Sequence, residues 1–128
     1  MMLAARRAGA LARLHLPRRA LATKVMVCGD ESAYDSAVAN DSGSVVYFTA
    51  TWCGPCRKIS PVFEELASSA EASKTFLKVD VDDQPDIAAA AQVTAMPTFV
   101  FYKGGKKVDT MVGADVNKLQ DLTKAHLL

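Results

Sequence analysis

Val45-Val46-Tyr47-Phe48-Thr49-Ala50, followed without a break by Thr51-Trp52-Cys53-Gly54-Pro55-Cys56-Arg57-Lys58, is the stretch that decides both fold and chemistry. The first six residues are apolar, β-branched or aromatic, as in a parallel strand buried on both faces. The next segment opens a helix. Ile59, Val62, Phe63 and Leu66 recur at helical spacing up to about Ala70, and Pro61 is expected to kink it. A cysteine at such a strand-to-helix junction faces unpaired backbone N–H groups and the positive end of the helix dipole. Both stabilise a thiolate, so the pKa of Cys53 is expected to fall. The two-residue gap brings the Cys56 sulfur within bonding distance. Gly54 permits the tight turn, and Pro55 suits a first helical turn that needs no N–H partner there. Cys53 is therefore read as the exposed nucleophile. Cys56, one turn further in, is read as the thiol that attacks the mixed disulfide and releases the reduced target.

Outward from this centre the chain alternates strands and helices. Strands are expected at Lys24–Cys28, Val45–Ala50, Thr75–Val81, Thr98–Tyr102 and Lys106–Val112. Helices are expected at Ser32–Asn40, Cys53–Ala70, Gln84–Gln92 and Val116–His126. Asp41-Ser42-Gly43-Ser44 is a turn cluster, and Gly104-Gly105 makes a hairpin of the last two strands. The order βαβαβαββα implies an α/β layer fold with a parallel centre and an antiparallel edge hairpin.

Charge divides the chain. Residues 1–27 hold six basic residues (Arg6, Arg7, Arg13, Arg18, Arg19 and Lys24) and no acid. The remainder holds 9 basic and 14 acidic residues, a net of −5. A nucleic-acid module keeps its positive charge on the folded part, so no nucleic-acid partner is expected. No apolar run approaches the ~20 residues of a membrane span, and no membrane association is expected. Wound as a helix, Leu3, Ala10 and Leu14, with Ala4 and Leu11, share a face that Arg6 and Arg13 leave. This arginine-rich, acid-free start reads as a transit peptide over residues 1–22, cut near Leu21 or Ala22, followed by one domain over residues 23–128. No hydroxyl residue precedes Thr23, which favours the mitochondrial matrix over the alternative, the chloroplast stroma. A secretory signal needs a longer uninterrupted apolar core. A basic arm binding nucleic acid or membrane is the competing reading.

Three cysteines cannot form a fully paired disulfide framework. Cys-x-x-Cys is also half of a zinc site, but zinc takes about four ligands. Only Cys28, His15 and His126 remain, without paired spacing, so no metal is expected.

Trp52-Cys53-Gly54-Pro55-Cys56 resembles the active site of the thioredoxin family letter for letter, and the resemblance extends over about residues 25–127. Pro61 resembles the proline of the family's active-site helix. Lys78-Val79-Asp80-Val81-Asp82 resembles its central strand, and Ala95-Met96-Pro97-Thr98 the segment with its cis-proline. Phe101-Tyr102-Lys103-Gly104-Gly105 resembles its hairpin, and Val112-Gly113-Ala114 the strand end with a substrate-facing glycine. Tyr47-Phe48-Thr49-Ala50, the presequence and Val112-Gly113-Ala114-Asp115-Val116 look closest to the mitochondrial o-type thioredoxins.

The resemblance implies a thioredoxin fold, with a central mixed five-stranded sheet flanked by helices, and a monomeric protein-disulfide reductase. It implies no bound cofactor. Reducing equivalents would come from NADPH through a thioredoxin reductase, and many disulfide-containing proteins would be targets. The chain has no Gly-x-Gly-x-x-Gly fingerprint of its own for nucleotide chemistry. Trp52, Gly54, Pro55, Met96, Pro97, Gly113 and Ala114 would form a flat, mainly apolar docking face. The Met96 backbone would pair with an extended target strand, and Gly113 would allow close approach.

One departure stands out. The commonest family pattern has a buried aspartate six residues before the nucleophile, where this chain has Tyr47. Lys78, the usual partner of that aspartate, is kept. Tyr47 is read as core packing, and Lys78 is expected to reach solvent or another acid. Cys28 reads as a small buried residue, with a regulatory or dimer-forming thiol as the alternative. Two other functions compete with the reductase: a disulfide oxidant or isomerase, and a redox-responsive binding subunit without turnover.

Overall fold

The computed structural model of the protein describes residues 24–128. The expected transit peptide, residues 1–22, lies outside the described residues. The elements follow the expected order: β1 (Val25–Val27), α1 (Glu31–Ala39), β2 (Ser44–Thr49), α2 (Gly54–Ser69), β3 (Thr75–Asp80), α3 (Pro85–Ala90), β4 (Thr98–Lys103), β5 (Lys106–Val112) and α4 (Val116–Leu127). The sheet order is β1-β3-β2-β4-β5. β1, β3 and β2 run parallel, while β4 pairs antiparallel with β2 and with β5. The fold class expected from the sequence is therefore the one observed.

β2 is buried along its whole length because helices cover both faces of the sheet. Successive side chains leave a strand on opposite faces. Val45 and Tyr47 join Phe76, Phe99 and Phe101 beneath Ile59, Phe63 and Leu66 of α2 and Leu119 of α4. Val46 and Phe48 join Leu77, Val79 and Val100 beneath Ala37 of α1 and Ile87 of α3. The chemistry-bearing helix thus sits on the Tyr47 face.

Boundaries moved where capping chemistry acts. α1 starts at Glu31, one residue earlier than expected, because the Asp30 carboxylate accepts the Ala33 N–H at 2.9 Å. α3 ends at Ala90 rather than Gln92. Gln92 adopts φ 60°, its N–H reaches Ala89 O at 3.0 Å, and the Val93 N–H reaches Ala88 O at 3.0 Å. This is a Schellman ending with a non-glycine residue in the left-handed position. The hairpin forms as its chemistry requires: Gly104 and Gly105 take φ 58° and 86°, the positive values of a type I′ turn. α2 runs from Gly54 to Ser69 with Pro61 inside it.

Tyr47 is fully buried. Its ring stacks on Phe99 with centroids 4.6 Å apart and planes 9° apart, and tilts against Phe63 at 5.0 Å. Its hydroxyl donates to the Cys56 carbonyl at 3.0 Å and lies 2.8 Å from Ser60 Oγ. Ser60 Oγ is itself 2.8 Å from the same carbonyl. Two hydroxyl protons serve three contacts, so either hydroxyl alone can satisfy the Cys56 carbonyl. Tyr47→Phe should therefore fold, lose about 1 kcal/mol of stability in chemical denaturation, and keep its disulfide-reduction rate within about tenfold. A folded but nearly inactive Tyr47→Phe protein would make the phenol part of the reaction.

Candidate active site

The site begins where β2 stops. Val81 N–H bonds Thr49 O at 2.9 Å, and Cys53 N–H bonds Ala50 O at 3.1 Å, so the chain turns sharply out of the sheet into α2. Cys53 is the N-cap of α2, in extended conformation, and its Sγ accepts the Cys56 N–H at 3.2 Å. Pro55 falls in the first turn, where no N–H is missed. Cys53 and Cys56 form a disulfide with Cα atoms 5.3 Å apart, within the ordinary range for such bonds. The structure is that of the oxidised protein.

Exposure differs from the expected pattern in one respect. Cys53 is 5 % exposed and Cys56 2 %. The reading of Cys53 as an exposed residue is corrected: it is buried, with its sulfur bonded to Cys56. The order of accessibility is kept. Around it, Trp52, Gly54 and Pro55 are exposed. The Trp52 indole donates through Nε1 to Asp82 Oδ2 at 2.9 Å, which fixes the ring beside the disulfide.

The other expected site residues arrive from separate elements. The Met96–Pro97 peptide bond is cis, as the resemblance implied. Pro97 is buried, and half-buried Met96 packs against the apolar cluster that holds both cysteines. Gly113 N–H bonds Pro97 O at 2.9 Å, which ties the end of β5 to the cis-proline segment. Gly113 has φ 107°, a conformation that disfavours side chains, and a Cβ there would meet open space. Ala114 beside it is exposed.

Lys78 sits opposite Tyr47 in the β2–β3 register and is half-buried. Among the described residues it forms no ion pair, so no second acid takes the place of the usual carboxylate partner. It lines a cleft of about 270 Å³ together with Thr49, Cys56, Arg57, Ser60 and Asp80. Ser60, Asp80 and Asp82 were not singled out from the sequence. Ser60 had a signal, being one helical turn after Cys56. Asp80 had one too, two residues after Lys78 on the same face of β3. Cys28 is 4 % exposed. Its Sγ–H donates to Asp30 O at 3.1 Å, and burial pushes its thiol pKa up, which fits a packed, protonated cysteine. Among the described residues no cluster of three His, Cys, Asp or Glu side chains is placed to hold a metal ion, and no helix is long and apolar enough to cross a membrane.

A five-stranded mixed sheet with a Cys-x-x-Cys disulfide capping the helix after its central strand, beside a cis-proline, defines a thiol–disulfide exchange protein. The Thioredoxin family model matches residues 25–125. A thioredoxin of Malassezia sympodialis is 46% identical over 103 residues, which span 80% of this chain and 98% of that protein. The crystal structure of a Malassezia sympodialis thioredoxin superposes with a TM-score of 0.75 at 43% identity, covering 82% of this chain and 91% of the other. Oxidised thioredoxin O2 of Arabidopsis thaliana superposes with a TM-score of 0.71 at 39% identity, covering 80% and 94%. The chain belongs to the thioredoxin family. It is a protein-disulfide reductase that works through the Cys53–Cys56 dithiol.

The two sulfurs should fail differently. Cys53→Ser should abolish reduction of insulin disulfides. Cys56→Ser should still attack but stall as a mixed disulfide visible on non-reducing gels, since the resolving thiolate is missing. Equal trapping by both variants would contradict the assignment.

Proposed function

We propose that this chain is an organellar thioredoxin of the o-type-like kind, working in the mitochondrial matrix and recharged by a thioredoxin reductase that draws on NADPH. The observation that carries the reductase cycle is the placement of Cys53 at the N-terminus of α2, with the Cys56 N–H on its sulfur. The reduced form presents a thiolate at Cys53, which attacks one sulfur of a target disulfide. A mixed disulfide forms and one target thiol leaves. Cys56 then attacks Cys53 Sγ, restoring the internal disulfide and releasing the second target thiol. No cofactor bound to this chain takes part; the flavin and nucleotide chemistry belongs to the reductase.

Target docking uses the surface around the disulfide. Trp52 is 63 % exposed and Val112 61 %, and the Met96–Pro97 and Gly113–Ala114 segments are tied together by the Gly113–Pro97 hydrogen bond. This apolar face, where the Met96 backbone makes no hydrogen bond among the described residues, suits brief pairing with extended segments of many different proteins. The acid-free arginine-rich start supports the mitochondrial address.

Two measurements test the proposal. NADPH oxidation by a mitochondrial thioredoxin reductase, with insulin as the disulfide, should depend on the full chain and vanish with Cys53→Ser. A fluorescent reporter carrying residues 1–27 should enter mitochondria. No NADPH turnover would contradict the reductase partner, and a cytosolic, plastid or secreted reporter would contradict the address.

A further inference from the structure

Resolution of the mixed disulfide needs the Cys56 thiol to lose its proton, yet Cys56 is 2 % exposed. Burial disfavours the thiolate, so the site must supply both an acceptor for the proton and a counter-charge for the sulfur. The groups that face Cys56 can be named element by element. From β2 comes Tyr47, whose hydroxyl is committed to the Cys56 carbonyl and Ser60. A hydroxyl that donates to a carbonyl keeps its proton on that acceptor and offers no free base. From α2 come Ser60 and Arg57. The Arg57 guanidinium cannot accept a proton, and it folds back to donate to Thr51 O at 3.0 Å. From β3 come Lys78 and Asp80, both lining the cleft that reaches Cys56. Asp82, beyond β3, is engaged by the Trp52 indole.

Asp80 is the one carboxylate among the described residues lining that cleft. Its Oδ1 accepts the Asp82 N–H at 2.8 Å and, more weakly, the Asp83 N–H at 3.4 Å. No protein donor among the described residues occupies Oδ2. A cleft of about 270 Å³ has room for several waters, each taking about 30 Å³ of liquid. Lys78 carries its charge into the same cleft without a paired carboxylate.

We propose that Asp80 accepts the Cys56 proton across cleft water during release of the target, with the Lys78 ammonium as counter-charge to the thiolate. The proton moves from Cys56 Sγ through water to the Asp80 carboxylate. The Cys56 thiolate then forms the bond to Cys53 Sγ, the bond from Cys53 to the target sulfur breaks, and the target leaves as a thiolate that takes a proton from solvent. The pair Cys53–Cys56 is oxidised by two electrons, and the target disulfide is reduced by two. Asp80 touches Cys56 only through water and is a positioning and proton-accepting residue. This rests on the reading of the chain as a disulfide reductase that attacks through Cys53.

The test separates the two steps. The reduced full chain is mixed in stopped flow with excess dithionitrobenzoate, which releases one thionitrobenzoate as Cys53 attacks and a second as Cys56 resolves. Cys28→Ser is carried as a control for the third thiol. Asp80→Asn keeps an oxygen acceptor for the Asp82 and Asp83 N–H groups and loses the base. Its first phase should match the wild type. Its second phase should be about a hundredfold slower at neutral pH and climb about tenfold per pH unit, where the wild-type second phase is flat between about pH 6 and 8. Asp80→Glu should recover the flat profile. A second phase in Asp80→Asn with wild-type rate and profile would overturn the proposal. So would equal slowing of both phases, or failure of Asp80→Glu to restore the rate. Loss of the first phase in the wild type would instead overturn the reductase reading itself.

Discussion

The structure depends on one electrostatic placement, a sulfur held at the N-terminus of a helix. Cys53 caps α2 with its side chain and receives the Cys56 N–H. Helix N-termini carry orphan N–H groups and roughly half a unit of positive charge, so the helix end itself favours negative charge on a sulfur placed there. Everything that fixes that sulfur follows from the sheet. β2 delivers the chain to the junction, and the aromatic stack of Tyr47, Phe99 and Phe63 holds α2 against it. The Gly113–Pro97 hydrogen bond then brings the end of β5 to the cis-proline segment.

The replacement of an acid by Tyr47 reshapes the inner half of the site. An aromatic ring takes part in the core, and its hydroxyl grips the backbone of Cys56 rather than its sulfur. Ser60 shares that carbonyl, as serine one turn along a helix commonly does. Tyr47 therefore brings no carboxylate to Cys56. The cleft beside Lys78 and Asp80 is where charge and solvent meet the buried thiol instead. Attack and release are thereby separated in space: attack on the helix-terminal face, release from the cleft face.

Much of this was legible in the residues. The continuous apolar run of β2, the helical spacing after Cys53 and the Gly104-Gly105 turn each carry a local signal, and each element formed. Other features are set by contacts between distant segments. No local pattern shows that Met96–Pro97 is cis; the family resemblance supplied it. The near-burial of Cys53 comes from the packing of the whole junction and not from its local sequence. The hydroxyl of Tyr47 reaches Cys56 only because α2 packs at that height on β2. Ser60 and Asp80 looked like ordinary helix and strand residues until the register β2–β3 placed Asp80 next to Thr49 and at the cleft. The end of α3 moved because Gln92 accepts a left-handed conformation that glycine signals more plainly.

The central claim is that the Cys53–Cys56 pair is a reducing couple. Its equilibrium reduction potential, measured against glutathione or dithiothreitol by following the two thiols, tests this most directly. The account predicts a value near that of thioredoxins, about −270 mV; a value near about −120 mV, that of a strong disulfide oxidant, would contradict it.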